Sequence, residues 1–259
     1  MDKHTNDAIY VTQKSDVAEL VLNRPEKRNA LSEEMWSSLP TLLDQVRNSC
    51  RILLVRGEGK HFASGADISE FEALYQTPER GQANSLRISE ALDALARFPR
   101  PTLAVVRGAC VGGGCGIALA CDFRFADETA RFAITPAKMG LLYPFNDTKR
   151  LVDTVGSSMA KDILLSARQL DADEALKSGL ANRMTSVDNL NDLVATYVER
   201  LLDMSPRSVE HTKTMIGLVL GGQDQDTDET QKLYCDAFNS SDFKEGFRAF
   251  LDKRKPDFS

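Results

Sequence analysis

The stretch that decides the fold is Cys110-Val111-Gly112-Gly113-Gly114-Cys115-Gly116-Ile117-Ala118-Leu119-Ala120-Cys121-Asp122. It follows Thr102-Leu103-Ala104-Val105-Val106, an apolar, β-branched run that reads as a buried strand. Three consecutive glycines then open into small residues compatible with a helix. The first N–H groups of a helix lack partners within it, and the helix dipole concentrates positive charge there. Glycine, lacking a Cβ, lets another atom approach that backbone closely. Strand, glycine cluster and helix start thus suit a phosphate, a carboxylate or a reaction oxyanion. The competing reading is a strand-to-helix turn that is tight only for packing. No Lys follows the glycines, as a P-loop requires, and Gly112, Gly114 and Gly116 do not give the dinucleotide spacing. An oxyanion hole remains, and it needs a second donor from elsewhere in the chain.

The 259 residues can bury one sizeable core, and 42% apolar with 27% charged residues is ordinary for a soluble globular protein. A net charge of −6 argues against general nucleic-acid binding. Five cysteines (Cys50, Cys110, Cys115, Cys121, Cys235) contain no Cys-x-x-Cys pair, so a disulfide framework is not expected and the compartment is read as reducing. Three separated histidines make a zinc site improbable, so no metal is expected. The N-terminus is polar and no run has the length of a membrane span, so a cytoplasmic protein with no membrane partner is expected.

Along the chain, Ala8–Thr12 and Val17–Leu22 read as a β-hairpin around Gln13–Asp16. Ser32 precedes Glu33-Glu34, an N-cap with an acidic first turn, predicting a helix from Glu33 to about Asn48 that Pro40 should kink or restart. Arg51–Gly57 reads as a strand, Phe62–Phe71 as a loop turning helical, and Gly81–Phe98 as a helix stopped by Pro99 and Pro101. Strand Thr102–Val106, helix Gly114–Cys121 and strands Asp122–Ala126 and Arg131–Ile134 follow. The alternation predicts a parallel sheet covered by helices. Beyond Leu151 only helices are expected: Ser157–Ser166, Asp171–Ser178, Val187–Met204, Pro206–Leu220 and Thr227–Leu251.

Five segments carry a resemblance. Asn23-Arg24-Pro25-Glu26-Lys27-Arg28-Asn29-Ala30-Leu31-Ser32 and Phe62-Ala63-Ser64-Gly65-Ala66-Asp67-Ile68 resemble the first two signatures of the enoyl-CoA hydratase/isomerase (crotonase) superfamily. Gly112–Asp122 resembles the third, Ala167–Leu180 the fourth, and Phe247–Phe258 the usual C-terminus. The resemblance implies an α/β crotonase-like spiral of ββα repeats with a helical C-terminal trimerisation region. The division expected is 1–200 for the core and 201–259 for oligomerisation, in a homotrimer or homohexamer. It also implies the missing donor: Ala66 and Gly113 match the two positions whose N–H groups receive the thioester carbonyl of an acyl-CoA. Coenzyme A would arrive as part of the substrate, with no separate cofactor. Ala63, Ser64, Asp67, Ile68 and Gly112 would lie along it. Lys27 or Arg28, with Lys253 from a neighbouring subunit, would face its phosphates.

The chain departs from the hydratases where their chemistry lies. Of the two glutamates that flank the water in hydratases, one position is Gly116 and the other Pro136. Neither residue moves a proton. Thr135-Pro136-Ala137-Lys138-Met139-Gly140-Leu141-Leu142-Tyr143 resembles instead a segment of the bacterial methylmalonyl-CoA decarboxylases whose Tyr lines the active site. Ala66, Gly116 and Lys138 depart from that branch too, where a His, an acidic residue and an Asn stand. Gly116, Ile134, Pro136 and Leu141 would form an apolar wall, with Tyr143 orienting substrate or protonating Cα. Asp147 is a relocated base for hydration or isomerisation, or an N-cap for the helix carrying Lys149-Arg150-Leu151. Glu70 and Glu72 read as solvated, and Asp122 as pinning the end of its helix. A non-catalytic CoA-thioester binding protein is the remaining alternative.

Overall fold

The computed structural model describes residues 7–258; the polar N-terminal residues 1–6 lie outside the described residues. The hairpin forms from β1 (Ile9–Lys14) and β2 (Val17–Leu22), closed by Ser15-Asp16 with Ser15 left-handed (φ 52°). The turn is two residues rather than four, because β1 pairs through Gln13 and Lys14. From β2 the sheet continues in parallel through β3 (Ile52–Gly57), β4 (Thr102–Val106), β6 (Phe123–Asp127) and β9 (Arg183–Thr185). A smaller sheet holds β5 (Ala109–Val111), β7 (Arg131–Ala133) and β8 (Gln169–Leu170).

The spiral of ββα turns is visible in this pairing. β4 leads to β5 and then α4 (Gly113–Ala120); β6 leads to β7 and then α5 (Phe145–Ser166). The turn built on β3 has no named second strand: bridges at Ala63 to Cys110 and at Ala66 to Leu31 stand in its place, before α2 (Phe71–Leu74) and α3 (Pro78–Ala96). The hairpin itself leads to α1 (Glu33–Val46). Leu20, Leu22, Leu53, Val55, Ala104 and Val106 point from the large sheet into the main core, against α1, α3 and α4. The alternate residues Ile52, Leu54, Leu103 and Phe125 meet Leu190, Val194 and Val198 of α7 (Leu190–Leu202). Burial on both faces is what a parallel sheet requires.

Local signals explain most element ends. Ser32 caps α1 by accepting from Met35 N–H, and Asp171 with Glu174 forms a capping box on α6 (Ala172–Lys177). Several expectations are corrected. α1 runs unbroken through Pro40, because its buried stripe Met35, Trp36, Leu39 and Leu43 is held by the core. α5 begins at Phe145 with Pro144 as N-cap, so Asp147 lies inside its first turn and caps nothing. Gly156 (φ 76°, ψ 163°) divides α5, leaving the expected Ser157–Ser166 as its second half. The region after Leu151 also contains β8 and β9, short strands recruited at sheet edges. After α8 (Pro206–Leu220), the single last helix is two, α9 (Asp228–Asn239) and α10 (Ser241–Asp252), parted by extended Ser240, which caps the second.

Two polar centres bind the layers. Asp122 accepts from Thr102 N–H (2.7 Å) and Oγ1 (3.0 Å) and from Lys213 Nζ (2.6 Å), joining the start of β4 to α8 rather than only ending α4. Buried Arg124 donates to Leu180 O (2.7 Å), Cys121 O (2.8 Å), Ala118 O (3.4 Å) and Asn182 Oδ1 (3.2 Å). A cation at the carbonyl end of α4 is favourable. No helix among the described residues is long and apolar enough to cross a membrane. Arg124→Met removes the guanidinium donors to the Leu180 and Cys121 carbonyls, so chemical denaturation should show a loss of ~1–3 kcal/mol for each carbonyl left unsatisfied.

Candidate active site

Two backbone turns meet here. The 62–67 segment is stitched to β5 by Ala63 N–H to Ala109 O (2.9 Å) and Val111 N–H to Ala63 O (2.9 Å). It is stitched to the first motif by Leu31 N–H to Gly65 O (2.8 Å) and Asp67 N–H to Leu31 O (2.9 Å). In such a parallel bridge Leu31 uses its own groups, so the Ala66 N–H points away from it. Gly112 (φ 53°, ψ −115°) turns the chain into α4, and Gly113 is the first helical residue, whose N–H has no carbonyl a turn behind it. Gly65 has φ 103°, and a Cβ there would lie 3.1 Å from Val111 O and 3.9 Å from Gly112 Cα. The turns therefore touch with no side chain between them. Ala66 is exposed and Gly113 half-buried, while Gly65 and Asp67 are buried.

The support is as specific as the amides. A Cβ on Gly113 would lie 2.9 Å from Trp36 Cζ2, and one on Gly114 only 2.7 Å from Ala63 O. Packing therefore demands glycine at both positions. Asp67 Oδ1 accepts from Ser69 Oγ (2.6 Å), and Oδ2 accepts from Arg24 Nη2 (2.7 Å) and Lys27 Nζ (3.1 Å). The hydrogen bond from Ser69 and those from Arg24 and Lys27 hold its carboxyl well below the usual carboxylate range.

These contacts locate several of the expected residues. Asp67 spends its carboxylate on the loop, and Lys27 is paired with it. Ala63 has no exposed surface and both its backbone groups are bonded; it supports the site from behind. Ser64 Oγ bonds Lys27 O (3.2 Å), Arg28 is exposed beside it, and Ile68 stands largely exposed. Glu70 is not simply solvated: its Oε2 accepts from Glu33 N–H (2.8 Å) at the start of α1. Glu72 is exposed as expected. Lys253 closes α10 in the left-handed region, on a segment tied by Arg254–Glu245 and Lys255–Asp203 ion pairs and not to the 62–68 loop.

Beyond Gly113, buried Gly116 of α4 is closely packed. A Cβ on Gly116 would lie 3.2 Å from Leu92 Cδ1 and 3.8 Å from the Tyr143 hydroxyl. That hydroxyl is buried and has no hydrogen-bond partner among the described residues. Burial pushes its pKa well up, and nearby Asp147 adds to the effect. Asp147 is 4% exposed, and its Oδ1 accepts from Arg150 Nη1 (2.6 Å). Arg150 Nη2 donates in turn to Asp93 of α3. Burial raises the Asp147 pKa despite Arg150. Ile134 is buried and Pro136 half-buried at the start of a short 3-10 turn, but Leu141 is 42% exposed and forms no buried wall. Leu92, unpredicted, takes that role. Its sequence signal was its place on the apolar face of α3 with Leu95, which names a helix face but not its partner. The described residues contain no group of His, Cys, Asp and Glu able to hold a metal ion.

The 62–67 turn and the Gly112–Gly113 turn thus lie together at the start of α4. Comparison with known proteins shows the family. The family profile for enoyl-CoA hydratase/isomerase matches residues 12–259. A short-chain-enoyl-CoA hydratase of Clostridium acetobutylicum is 30% identical over 95% of this chain and 95% of its own. A crotonyl-CoA hydratase of Syntrophomonas wolfei is 32% identical over 96% and 97%. A solved enoyl-CoA hydratase/isomerase family protein from Hyphomonas neptunium superposes with a TM-score of 0.96 at 40% identity, covering 99% of each chain. The chain belongs to the enoyl-CoA hydratase/isomerase family and has the crotonase fold.

Two outcomes test the site's construction. Gly114→Ala forces a Cβ into the Ala63 carbonyl and should abolish acyl-CoA binding, measured calorimetrically, through displacement of the 62–67 turn. Asp67 has a depressed pKa in the folded state, so its stabilisation is present above about pH 4 and is lost as pH falls further. Denaturation at pH 7 and pH 3 should therefore show a smaller acid loss, by ~1 kcal/mol, in Asp67→Asn than in wild type.

Proposed function

We propose that this enzyme forms a thioester enolate held by the Ala66 and Gly113 amides, and that its reaction is decarboxylation of a malonyl-type acyl-CoA. The observation that carries this reading is the buried, unpartnered Tyr143 hydroxyl beside Gly116, where a hydratase would carry a carboxylate. The substrate's carboxylate supplies the electron pair itself: the bond to Cα breaks, CO2 leaves, and charge moves onto the thioester oxygen. Two preorganised amides stabilise that oxyanion, each worth ~3–4 kcal/mol in the transition state. Leu92, Gly116 and Ile134 present an apolar surface that solvates the departing carboxylate poorly. Tyr143, kept protonated by burial, then delivers its proton to Cα.

The scheme needs no cofactor beyond the coenzyme A carried by the substrate. Residues 201–259 are assigned to oligomerisation into a trimer or hexamer; exposed Phe243, Phe247, Phe250 and Leu251 of α10 support that role. Lys253 would reach coenzyme A only from such a neighbour. Four buried thiols suit a cytoplasmic setting. A second reading, hydration or isomerisation with Asp147 as base, draws on that residue's buried carboxyl and on relatives named as hydratases.

Purified protein incubated with methylmalonyl-CoA, ethylmalonyl-CoA, crotonyl-CoA and a 3-enoyl-CoA, with mass analysis of products, separates the readings. CO2 loss from the malonyl thioesters is expected, with Tyr143→Phe lowering kcat by ~10²–10⁴-fold at little change in KM. Crotonyl-CoA hydration abolished by Asp147→Asn would establish the second reading instead. Binding without turnover of any thioester would sink both.

A further inference from the structure

Leu31 touches both turns of the site, one with its backbone and the other with its side chain. Its N–H donates to Gly65 O (2.8 Å) and its carbonyl accepts from Asp67 N–H (2.9 Å), so its backbone holds both neighbours of Ala66. Its side chain runs to the other turn: a Cβ on Gly113 would lie 3.1 Å from Leu31 Cδ1 and 2.9 Å from Trp36 Cζ2. The Gly113 backbone therefore rests on a leucine methyl and an indole edge. Leu31 and Trp36 are both buried in the main core. Their places in the chain make the arrangement firm. Ser32 is the N-cap of α1, so Leu31 directly precedes the cap and Trp36 is the fourth helical residue. Those are the two positions of a hydrophobic staple, which fixes the angle at which a chain enters a helix. Here both staple side chains converge on the backbone of a different element, the start of α4. The chain leading to Leu31 is anchored as well: Arg24 Nη1 donates to Ala30 O (2.7 Å), and Asn29 Nδ2 donates to Glu58 O (3.0 Å) and His61 O (2.7 Å).

We propose that Leu31 is a positioning residue that sets the separation of the Ala66 and Gly113 amides, with Trp36 as its backing. This rests on the reading of those amides as paired donors to a thioester carbonyl, and not on which reaction follows. Donors act on an oxyanion only at hydrogen-bond distance, and a misplacement of ~1 Å can cost ~10²-fold in rate. One residue that bonds to one turn and packs on the other ties the two positions together. Leu31→Val keeps both backbone bonds to the 65–67 turn but lacks the δ-methyl against Gly113, which frees the start of α4 to move. Methionine, close to leucine in volume and adaptable in shape, restores the reach.

Wild type, Leu31→Val, Leu31→Met and Trp36→Phe are each saturated with propionyl-CoA isotopically labelled at the thioester carbonyl. The carbonyl stretch is read by isotope-edited infrared difference spectroscopy, with a thermal melt of each protein. A carbonyl that accepts stronger hydrogen bonds stretches at lower frequency, so the wild-type band should fall below that of free propionyl-CoA in water. Leu31→Val should lose part of this downshift and Leu31→Met should keep it, whatever the order of their melting temperatures; a purely structural role would move the melt and not the band. Should Leu31→Val fail to fold, Trp36→Phe must lose part of the downshift in its place. A full downshift in the folded Leu31→Val or Trp36→Phe protein, or an equal loss in Leu31→Met, overturns the proposal and leaves the amide pair intact. A wild type whose bound carbonyl band does not fall overturns the amide reading and the role of Leu31 with it.

Discussion

The contact on which the site depends is backbone against backbone: the turn at Gly65 lies directly on Val111 and Gly112. No side chain separates them, which is the close approach that the proposed pair of amide donors requires. Both glycines have positive φ, and both sit where a Cβ would push the turns apart or force a strained conformation. Trp36 behind Gly113 and the Ser69, Arg24 and Lys27 bonds to Asp67 keep the two turns from drifting. Preorganisation of this kind matters because donors already in place cost nothing to reorient as charge develops.

A different contact bears on the proposed chemistry. Leu92 and Tyr143 close around Gly116. Burial there makes free charge on Tyr143 unfavourable. Family membership gives the fold and the class of substrate, whereas the reaction depends on side chains such as these.

Elements with strong local chemistry were legible before the structure: β4 from its apolar run, α1 from the Ser32 cap, α6 from Asp171 and its capping partner, α8 between Pro206 and Gly221. β8 and β9 were not, because two or three residues carry no periodicity and exist only where a sheet edge recruits them. The break at Ser240 was hidden by a helical pattern that continues across it. Asp147 looked like a cap because its neighbours are helix-forming; its actual partner, Arg150, is tied to Asp93 on another helix.

The sequence by itself determined the Gly112–Gly114 turn and the identity of Ala66, Gly116 and Pro136, on which the proposed function is built. Those are properties of single positions: a glycine or alanine backbone, a side chain that cannot hold a proton. Only the tertiary structure decided that Leu92 packs against Gly116 while Leu141 is exposed, that Asp67 and Ala63 brace the 62–67 loop, and that Arg150 joins Asp147 to Asp93 of α3. Each is a contact between separate elements, and a side chain's chemistry states what it can bind without stating what packing will bring to it.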